Sequence, residues 1–348
     1  MLDYEILDEA LISMAPAGPD LRNGLTNHAP MAAEALVALR RGDTVMRWLE
    51  NYRKGLTPRP SARERIQLRN WRAALAHSDR FTDWRELFDR ELKEAPWQTV
   101  LEKWAARLGP GMSASATHGV IRTGDAVRAL VNREAPARLQ ELADGLALWA
   151  STYQELPSEV SRPLGAKSPM EAICLIPILP AERRKFSGTI TSSLNQLDRL
   201  PEFAPVIGLI DIGGTPSVLM SKLTRTFAHI YLANAHNLLN VIVFIHAVTC
   251  AAAVRKLLPS LSDATSRAAM QYAWQTGCAL YAAFGASAAV AEDPEPVLES
   301  DETLIDMAIA CGDEHAVKFT EACLSENAIT PSSAYLAAAR HAVQTLKA

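Results

Sequence analysis

Histidines are the residues of this chain whose chemistry and placement say most about function. There are eight of them: His28, His77, His118, His229, His236, His246, His315 and His341. His77 and His341 have polar or Ala/Arg-rich neighbours, which predicts surface positions. Another four stand on separate segments whose neighbours indicate burial, and these are His28, His118, His246 and His315.

Two interpretations of the four buried histidines are open. His246 shows the problem best, because seven of its eight neighbours from Val241 to Thr249 are apolar. A lone buried histidine is ordinarily a neutral imidazole that is hydrogen-bonded to a carbonyl group, since an unpaired polar group is costly inside a protein. Four of them on four helical segments could instead converge on a metal, because helix bundles build metal sites from inward-facing side chains.

Charged residues accompany two of these histidines at helical spacing. Arg122 lies one turn after His118, and Asp125 lies two turns after His118. This spacing predicts one polar helix face. Either a substrate or a salt bridge to Asp125 or another buried carboxylate would satisfy Arg122. Lys318 lies three residues after His315 on the same predicted face, and an ordinary ion pair with Glu314 or Glu321 is the simplest expectation for it.

The elements that must position these residues are predicted to be helices. Apolar residues recur every three to four positions through most of the chain, and Pro30 stands where a first helical turn tolerates proline. The predicted helices are 84–108, 115–131, 136–153, 221–235, 238–258, 266–288, 303–311, 314–324 and 332–346, with another beginning near residue 30. Only 206–212 is a candidate strand, and it could equally be a buried loop. We therefore predict an all-α fold: a single large, bundle-like helical domain over 1–348, with a metal site in its core.

Three stretches are predicted to be irregular, at 15–24, 155–169 and 293–301. The basic segment 53–72 is interpreted as a solvated turn. The alanine-rich runs near 282–291 and 337–342 favour helix, because alanine has the highest helix propensity.

Composition excludes several classes of function. The chain has 348 residues, 49% of them hydrophobic and 21% charged, and its net charge is −4, which is ordinary for a globular enzyme and provides no basic surface for nucleic acid. Five scattered cysteines without a CxxC pair predict buried free thiols in a reducing compartment.

The N-terminus is acidic and lacks the basic region of a signal peptide. The apolar stretch 238–253 is expected to be too short to span a bilayer. A soluble cytoplasmic protein is predicted.

The usual sequence motifs of other enzyme classes have no support. IDIGGTP at 210–216 is similar to a phosphate-binding loop of actin-like ATPases, but it stands between helices without a second phosphate loop. GxGxxG after a strand, GxSxG, HExxH and the P-loop do not occur in the sequence.

The same histidine segments carry a resemblance to the questin oxidase-like family. The matching stretches are NHAPMAAEAL (27–36), HGVIRTGDAVRAL (118–130), LALWASTYQELP (146–157), FIHAVTCAAAVRKLLP (244–259) and DEHAVKFTEACL (313–324). They cover nearly the whole chain in the order of the family, and the two His-Ala-Val segments are the most distinctive.

What the resemblance implies is an oxygen-dependent oxidoreductase that cleaves or oxygenates an aromatic, anthraquinone-type polyketide. It implies a non-haem Fe(II) held by His28, His118, His246 and His315, together with Lys318 carboxylated by CO2. His229 and His236 are reserve candidates for a ligand position. Arg122 is the candidate catalytic residue that steers an anionic substrate oxygen, and NADPH is an external reductant at most, since the chain has no dinucleotide motif.

Two rival functions remain at this stage. One is a Baeyer–Villiger-type monooxygenase that uses NADPH without a metal, with the histidines as acid and base. The other is a non-catalytic helical protein that binds a small ligand. The expected partners are a small aromatic substrate and O2, without nucleic acid or membrane, and the sequence leaves the oligomeric state open.

Overall fold

The computed structural model describes residues 4–159, 167–286 and 293–347, and it is mostly helical, with 71% helix and 3% strand. The α-helices are α1 (Tyr4–Met14), α2 (Ala29–Ala38), α3 (Gly42–Tyr52), α4 (Phe81–Glu94), α5 (Trp97–Leu108), α6 (His118–Asn132), α7 (Pro136–Ser151), α8 (Pro169–Ala172), α9 (Ile190–Leu194), α10 (Pro216–Asn234), α11 (Leu238–Leu257), α12 (Asp263–Phe284), α13 (Asp301–Cys311), α14 (Glu314–Ile329) and α15 (Ser333–Thr345). Short 3-10 helices cover Arg53–Gly55, Trp71–Ala74, Ser78–Arg80, Gly109–Gly111, Ile173–Leu175, Ala181–Arg183, Asn195–Arg199, Pro201–Gly208 and Leu258–Ser260. The predicted all-α class is confirmed.

The chain divides into two compact units. The first comprises Met1–Gln154 with Lys256–Ser262, and the second comprises Glu155–Arg255 with Asp263–Ala348. The prediction of one domain over 1–348 stays a prediction.

In the first unit, α6 and α7 are the most closely packed helices. A Cβ atom added at Gly119 would lie 2.6 Å from the Trp149 Cα, and one added at Gly145 would lie 2.9 Å from the Thr123 nitrogen. Only glycine permits this approach of two backbones. Trp149 is buried, and its indole Nε1 donates to the Gly111 carbonyl oxygen at 3.0 Å. The start of α6, which carries His118, is thereby held against α7.

A buried ion-pair network joins the same two helices. The Arg122 guanidinium on α6 donates to both Glu141 oxygens, at 2.5 and 2.8 Å, and to Asp144 at 3.3 Å. Asp144 also accepts two hydrogen bonds from Arg59, at 2.7 and 2.9 Å. Asp125 pairs instead with Lys256 at 2.7 Å. Of the two partners foreseen for Arg122, the structure therefore provides another buried carboxylate and not Asp125.

In the second unit, hydrogen bonds tie α10, α11, α14 and α15 together. Arg255 donates to both oxygens of the buried Glu326, at 2.6 and 2.7 Å. The Thr224 hydroxyl lies 2.9 Å from a Glu326 oxygen and 2.7 Å from the Tyr335 hydroxyl. This network fixes α14, which carries His315 and Lys318, relative to α10 and α11.

Several local predictions were wrong. The predicted helix 84–108 is two helices, because it is interrupted between Glu94 and Trp97, where Pro96 cannot continue the hydrogen-bond ladder. For 206–212 the sequence left a strand and a buried loop open, and the segment is not a strand: Pro201–Gly208 is a 3-10 helix, and Ile210 forms a single bridge with Lys167.

The strands that exist were not foreseen. Ala17–Leu21 (β1) and Leu56–Pro58 (β2) pair antiparallel, in segments that the sequence marked as irregular or turn. The alanine-rich run 282–291 is not helical beyond Phe284 in its described part, and 287–292 lie outside the described residues, as does 160–166 of the predicted irregular segment. The segment 293–300 is irregular as predicted.

The thiols are free but not all buried. Cys250, Cys278 and Cys323 are buried, Cys311 is half-buried and Cys174 is exposed. The prediction of buried thiols is wrong for Cys174.

The most apolar helix is longer than the sequence suggested. Among the described residues, Leu238–Ser260 is long and apolar enough to cross a membrane, so the argument from length was wrong. However, 72% of its most apolar window is buried inside the protein, which is typical of the core helix of a soluble protein.

Candidate metal centre

The four histidines singled out from the sequence form one buried group. Each offers one ring nitrogen, and these nitrogens lie within 4.8 Å of one another, the separation expected of donors around a single ion. The relative exposures are 3% for His28, 5% for His118, 1% for His246 and 8% for His315. The predicted burial of all four is confirmed, and the group could hold a metal.

His28 and His118 are the closest pair. Their Nε2 atoms are 2.6 Å apart, and the rings meet edge to face with centroids at 4.4 Å. His28 immediately precedes α2, and its backbone N–H donates to the Tyr52 hydroxyl at 2.9 Å. His118 is the first residue of α6.

An unusual backbone segment positions His118. Ser115, Ala116 and Thr117 have φ values of 48°, 54° and 74°, so three successive non-glycine residues are left-handed. This conformation costs about 1–2 kcal/mol per residue, and such strain is found at functional sites. It places the Ser115 carbonyl where the His118 Nδ1–H donates to it.

His246 and His315 form the second pair, with ring centroids 5.6 Å apart. The Nδ1–H of His246 donates to the Ile242 carbonyl oxygen, one turn earlier on α11, at 2.6 Å. The Nδ1 of His315 lies 3.0 Å from the Asp313 Oδ1, and the same oxygen caps α14 by accepting from the His315 backbone N–H at 2.7 Å.

These outer hydrogen bonds determine what the rings can bind. An imidazole that donates from Nδ1 carries its lone pair on Nε2, which is the tautomer that a metal ligand needs. His118, His246 and His315 all have an acceptor at Nδ1. Three of the four rings are therefore preset as Nε2 ligands.

The second pair contains a neutral ring at His246 and has a carboxylate beside it at Asp313. Burial lowers the pKa of His246 well below its ordinary value, and the nearby His315 and Lys318 lower it further. His246 is therefore a neutral imidazole at neutral pH. Burial would raise the pKa of Asp313, but its hydrogen bond to His315 and the charge of that ring lower it overall, so Asp313 is a carboxylate.

Lys318 lies on α14 one turn after His315 and is buried, with 5% exposure. Glu321, one further turn along, is also buried and accepts a hydrogen bond from Ser325 at 2.7 Å. The resemblance implies that CO2 adds to the amine of Lys318, a reaction that only a neutral amine undergoes. Both this modification and the assignment of Lys318 as a ligand stay predictions.

The reserve histidines lie outside the group. His229 is buried on α10, but its Nε2 is 3.4 Å from the Asp293 carboxylate. His236 is exposed. His77 is exposed as predicted, whereas His341 is half-buried and its Nδ1 lies 2.9 Å from the Tyr231 hydroxyl, so its predicted surface position was wrong.

Sequence reasoning missed the groups that orient the ligands. Asp313 could have been found, because an aspartate that follows Gly312 and precedes a helical run is an N-cap signal. The Ile242 carbonyl is the ordinary acceptor one turn before His246. The left-handed run before His118 has no glycine or asparagine to reveal it.

Comparison with known proteins adds no constraint. Neither the family models nor the curated proteins that were searched give a match to this chain. The resemblance to the questin oxidase-like family therefore depends on the sequence segments alone.

Proposed function

We propose that this protein is a mononuclear non-haem iron oxygenase of the questin oxidase-like kind, which cleaves or oxygenates an aromatic polyketide or anthraquinone-type substrate with O2. The observation that supports it most is the group of four buried histidines whose ring nitrogens lie within 4.8 Å of one another. The proposed ligands are His28, His118, His246, His315 and carboxylated Lys318, in a cytoplasmic protein.

The donor set fits Fe(II). Imidazole nitrogen suits iron, and many non-haem iron sites add a carboxylate-type oxygen. Four neutral imidazoles leave the charge of a divalent ion uncompensated inside the protein, where charge is costly. A carbamate at Lys318 would supply the anionic oxygen. Formation of the carbamate joins the Nζ atom to the carbon of CO2 and releases one proton.

The proposal assigns a role to the iron, to the groups that orient its ligands and to Arg122. Bound iron supplies the redox chemistry that triplet O2 needs to react with a closed-shell aromatic molecule. The Ser115 carbonyl, the Ile242 carbonyl and Asp313 hold the ring tautomers of three ligands, and burial of the four rings excludes bulk water. Arg122 is better placed as a positioning residue than as a substrate contact, because Glu141 and Asp144 already hold its guanidinium.

A metal-free alternative rests on one specific observation. The 2.6 Å separation of the His28 and His118 Nε2 atoms would also suit a hydrogen bond in which His28 donates and His118 accepts. In a monooxygenase that uses NADPH without a metal, such a pair would move protons. The same contact is compatible with a non-catalytic ligand-binding protein.

Metal analysis separates these possibilities. The full chain is purified without chelator, under anaerobic conditions with Fe(II) and bicarbonate, and its iron content is measured by mass spectrometry. We expect about one iron per chain, and O2 uptake that depends on it when anthraquinone or anthrone substrates are added. Iron far below one per chain, with NADPH-dependent turnover retained, would overturn the proposal in favour of the metal-free oxygenase.

A further inference from the structure

The N-terminus of α6 contains a group of hydrogen-bond donors without acceptors. Helix α6 is 15 residues long and begins at His118. The His118 backbone N–H donates to the Ser115 oxygen at 3.2 Å, and the Ile121 N–H donates to the Thr117 oxygen at 3.0 Å. Within the described residues, no acceptor is found for the two amides between them, those of Gly119 and Val120.

The Thr117 hydroxyl is a second, independent sign of a ligand. Thr117 is the residue that precedes α6, and its side chain is completely buried. Its hydroxyl makes no capping hydrogen bond, and no partner for it is found in the part of the chain that the structure describes. The left-handed backbone at Thr117 explains this, because the usual N-cap hydroxyl requires an extended residue.

Leaving these donors unpaired is expensive. A buried polar group without a partner costs about 1–3 kcal/mol, and buried backbone N–H groups without partners are rare. Two amides and one hydroxyl at one helix end are the donors that bind anionic oxygens in many proteins, and the helix dipole favours negative charge there. The same helix end carries His118, whose Nε2 belongs to the candidate metal centre.

We propose that the Thr117 hydroxyl and the Gly119 and Val120 amides form a binding site for an anionic oxygen beside the histidine group. Its ligand is a phenolate, enolate or carboxylate oxygen of the substrate. The donors are fixed in the protein before the ligand arrives, which is how such groups stabilise developing negative charge most effectively. This site rests on the proposed function and deepens it, because it assigns substrate orientation to the start of α6. These three donors replace Arg122 as the group that binds the anion.

Selective isotope labelling tests the site directly. The sequence contains a single His-Gly dipeptide, His118-Gly119. Protein labelled with 13C at histidine carbonyls and 15N at glycine therefore gives one carbonyl-filtered amide signal, that of Gly119. The full chain is treated with chelator, so that the test is independent of metal, and sodium formate is added as the probe for an anionic oxygen.

We expect a saturable shift of the Gly119 signal with sodium formate and not with sodium chloride at the same ionic strength, because chloride provides no anionic oxygen. Thr117→Val keeps the shape of the side chain and removes only the hydroxyl, so we expect the Kd for formate to rise about tenfold. Thr226→Val is the matched control, because Thr226 is equally buried but its hydroxyl bonds the Lys222 carbonyl oxygen at 2.8 Å, and its Kd should be unchanged.

Two results would overturn the proposal. One is a Gly119 signal that does not move with formate, which would mean that the donors bind water only. The other is an unchanged Kd in the Thr117→Val variant. Circular dichroism and Tm establish that each variant is folded. Because the experiment contains no metal, its failure leaves the iron oxygenase proposal standing, and a failure of metal binding leaves this site standing.

Discussion

The Nε2 atoms of His28 and His118 are 2.6 Å apart, although 90 residues separate them in the chain. His118 donates from Nδ1 to Ser115, so its Nε2 carries a lone pair. Two imidazole nitrogens at this distance share either a proton or a cation. The iron proposal assigns a cation to this contact, and the metal-free alternative assigns a proton to it.

The first prediction concerns the ligands themselves. His118→Ala and His246→Ala should each lower metal affinity by at least tenfold, since removal of a ligand costs no less than the 10–100-fold typical of removing its outer hydrogen-bond partner. Competition with a chromophoric chelator measures the affinity. His77→Ala is the control, because His77 is exposed and outside the group. If both variants bind metal as tightly as the control, the four histidines do not form its site.

The second prediction concerns Lys318. Protein equilibrated with 13C-bicarbonate should give a carbamate signal in its 13C spectrum, because a buried neutral amine reacts with CO2. Lys318→Arg keeps a positive charge but cannot form a carbamate, and it should abolish the signal. Lys222→Arg, at an exposed lysine, is the matched control. A carbamate signal that survives in Lys318→Arg but disappears in Lys222→Arg would place the modification elsewhere.

The helical fold and the burial of the four histidines were accessible from the sequence because both depend on local patterns. Apolar residues at helical spacing predicted most helices to within a few residues, and an imidazole in an apolar helix such as that of His246 is readable as buried. The partners of Arg122 and Lys256 were not accessible, because ion pairs across helices depend on tertiary packing. The β1–β2 pair was missed because a five-residue and a three-residue strand are too short to show an alternating pattern.

The third prediction concerns the buried network around Asp144. Burial alone would raise the pKa of Asp144, but the hydrogen bonds from Arg59 and the charges of Arg122 and Arg85 lower it overall. Asp144→Asn should destabilise the protein by about 3 kcal/mol, because it removes the carboxylate that pairs with Arg59 and that shares the buried Arg122 with Glu141. Asp198→Asn, at an exposed aspartate, should change the free energy of unfolding by less than about 0.5 kcal/mol.

The same network gives a pH dependence with a definite sign. A carboxyl group whose pKa is lowered by folding stabilises the folded protein above its unfolded pKa, and this stabilisation is lost as pH falls through the folded pKa. The difference in unfolding free energy between wild type and Asp144→Asn should therefore shrink as the pH falls below the ordinary range of an aspartate. Urea denaturation from neutral to acidic pH measures it. A difference that grows on acidification would contradict the assignment of Asp144 as the buried anion.

The fourth prediction tests whether the left-handed segment before His118 is strained. Glycine adopts positive φ without the steric cost of a Cβ atom, so Ala116→Gly removes about 1–2 kcal/mol of strain from the folded protein. The greater freedom of glycine in the unfolded chain opposes this gain by about 0.4–1 kcal/mol. We expect a net stabilisation of about 0.5–1 kcal/mol from these two effects. Ala126→Gly, a buried position inside α6 with ordinary helical geometry, should instead destabilise by about 1 kcal/mol. Urea denaturation of both variants measures the contrast.

The strained backbone orients the Ser115 carbonyl toward His118, so Ala116→Gly should also loosen the His118 ring and weaken metal binding while stability rises. A variant that gains stability with unchanged metal affinity would show that the left-handed run does not serve the site.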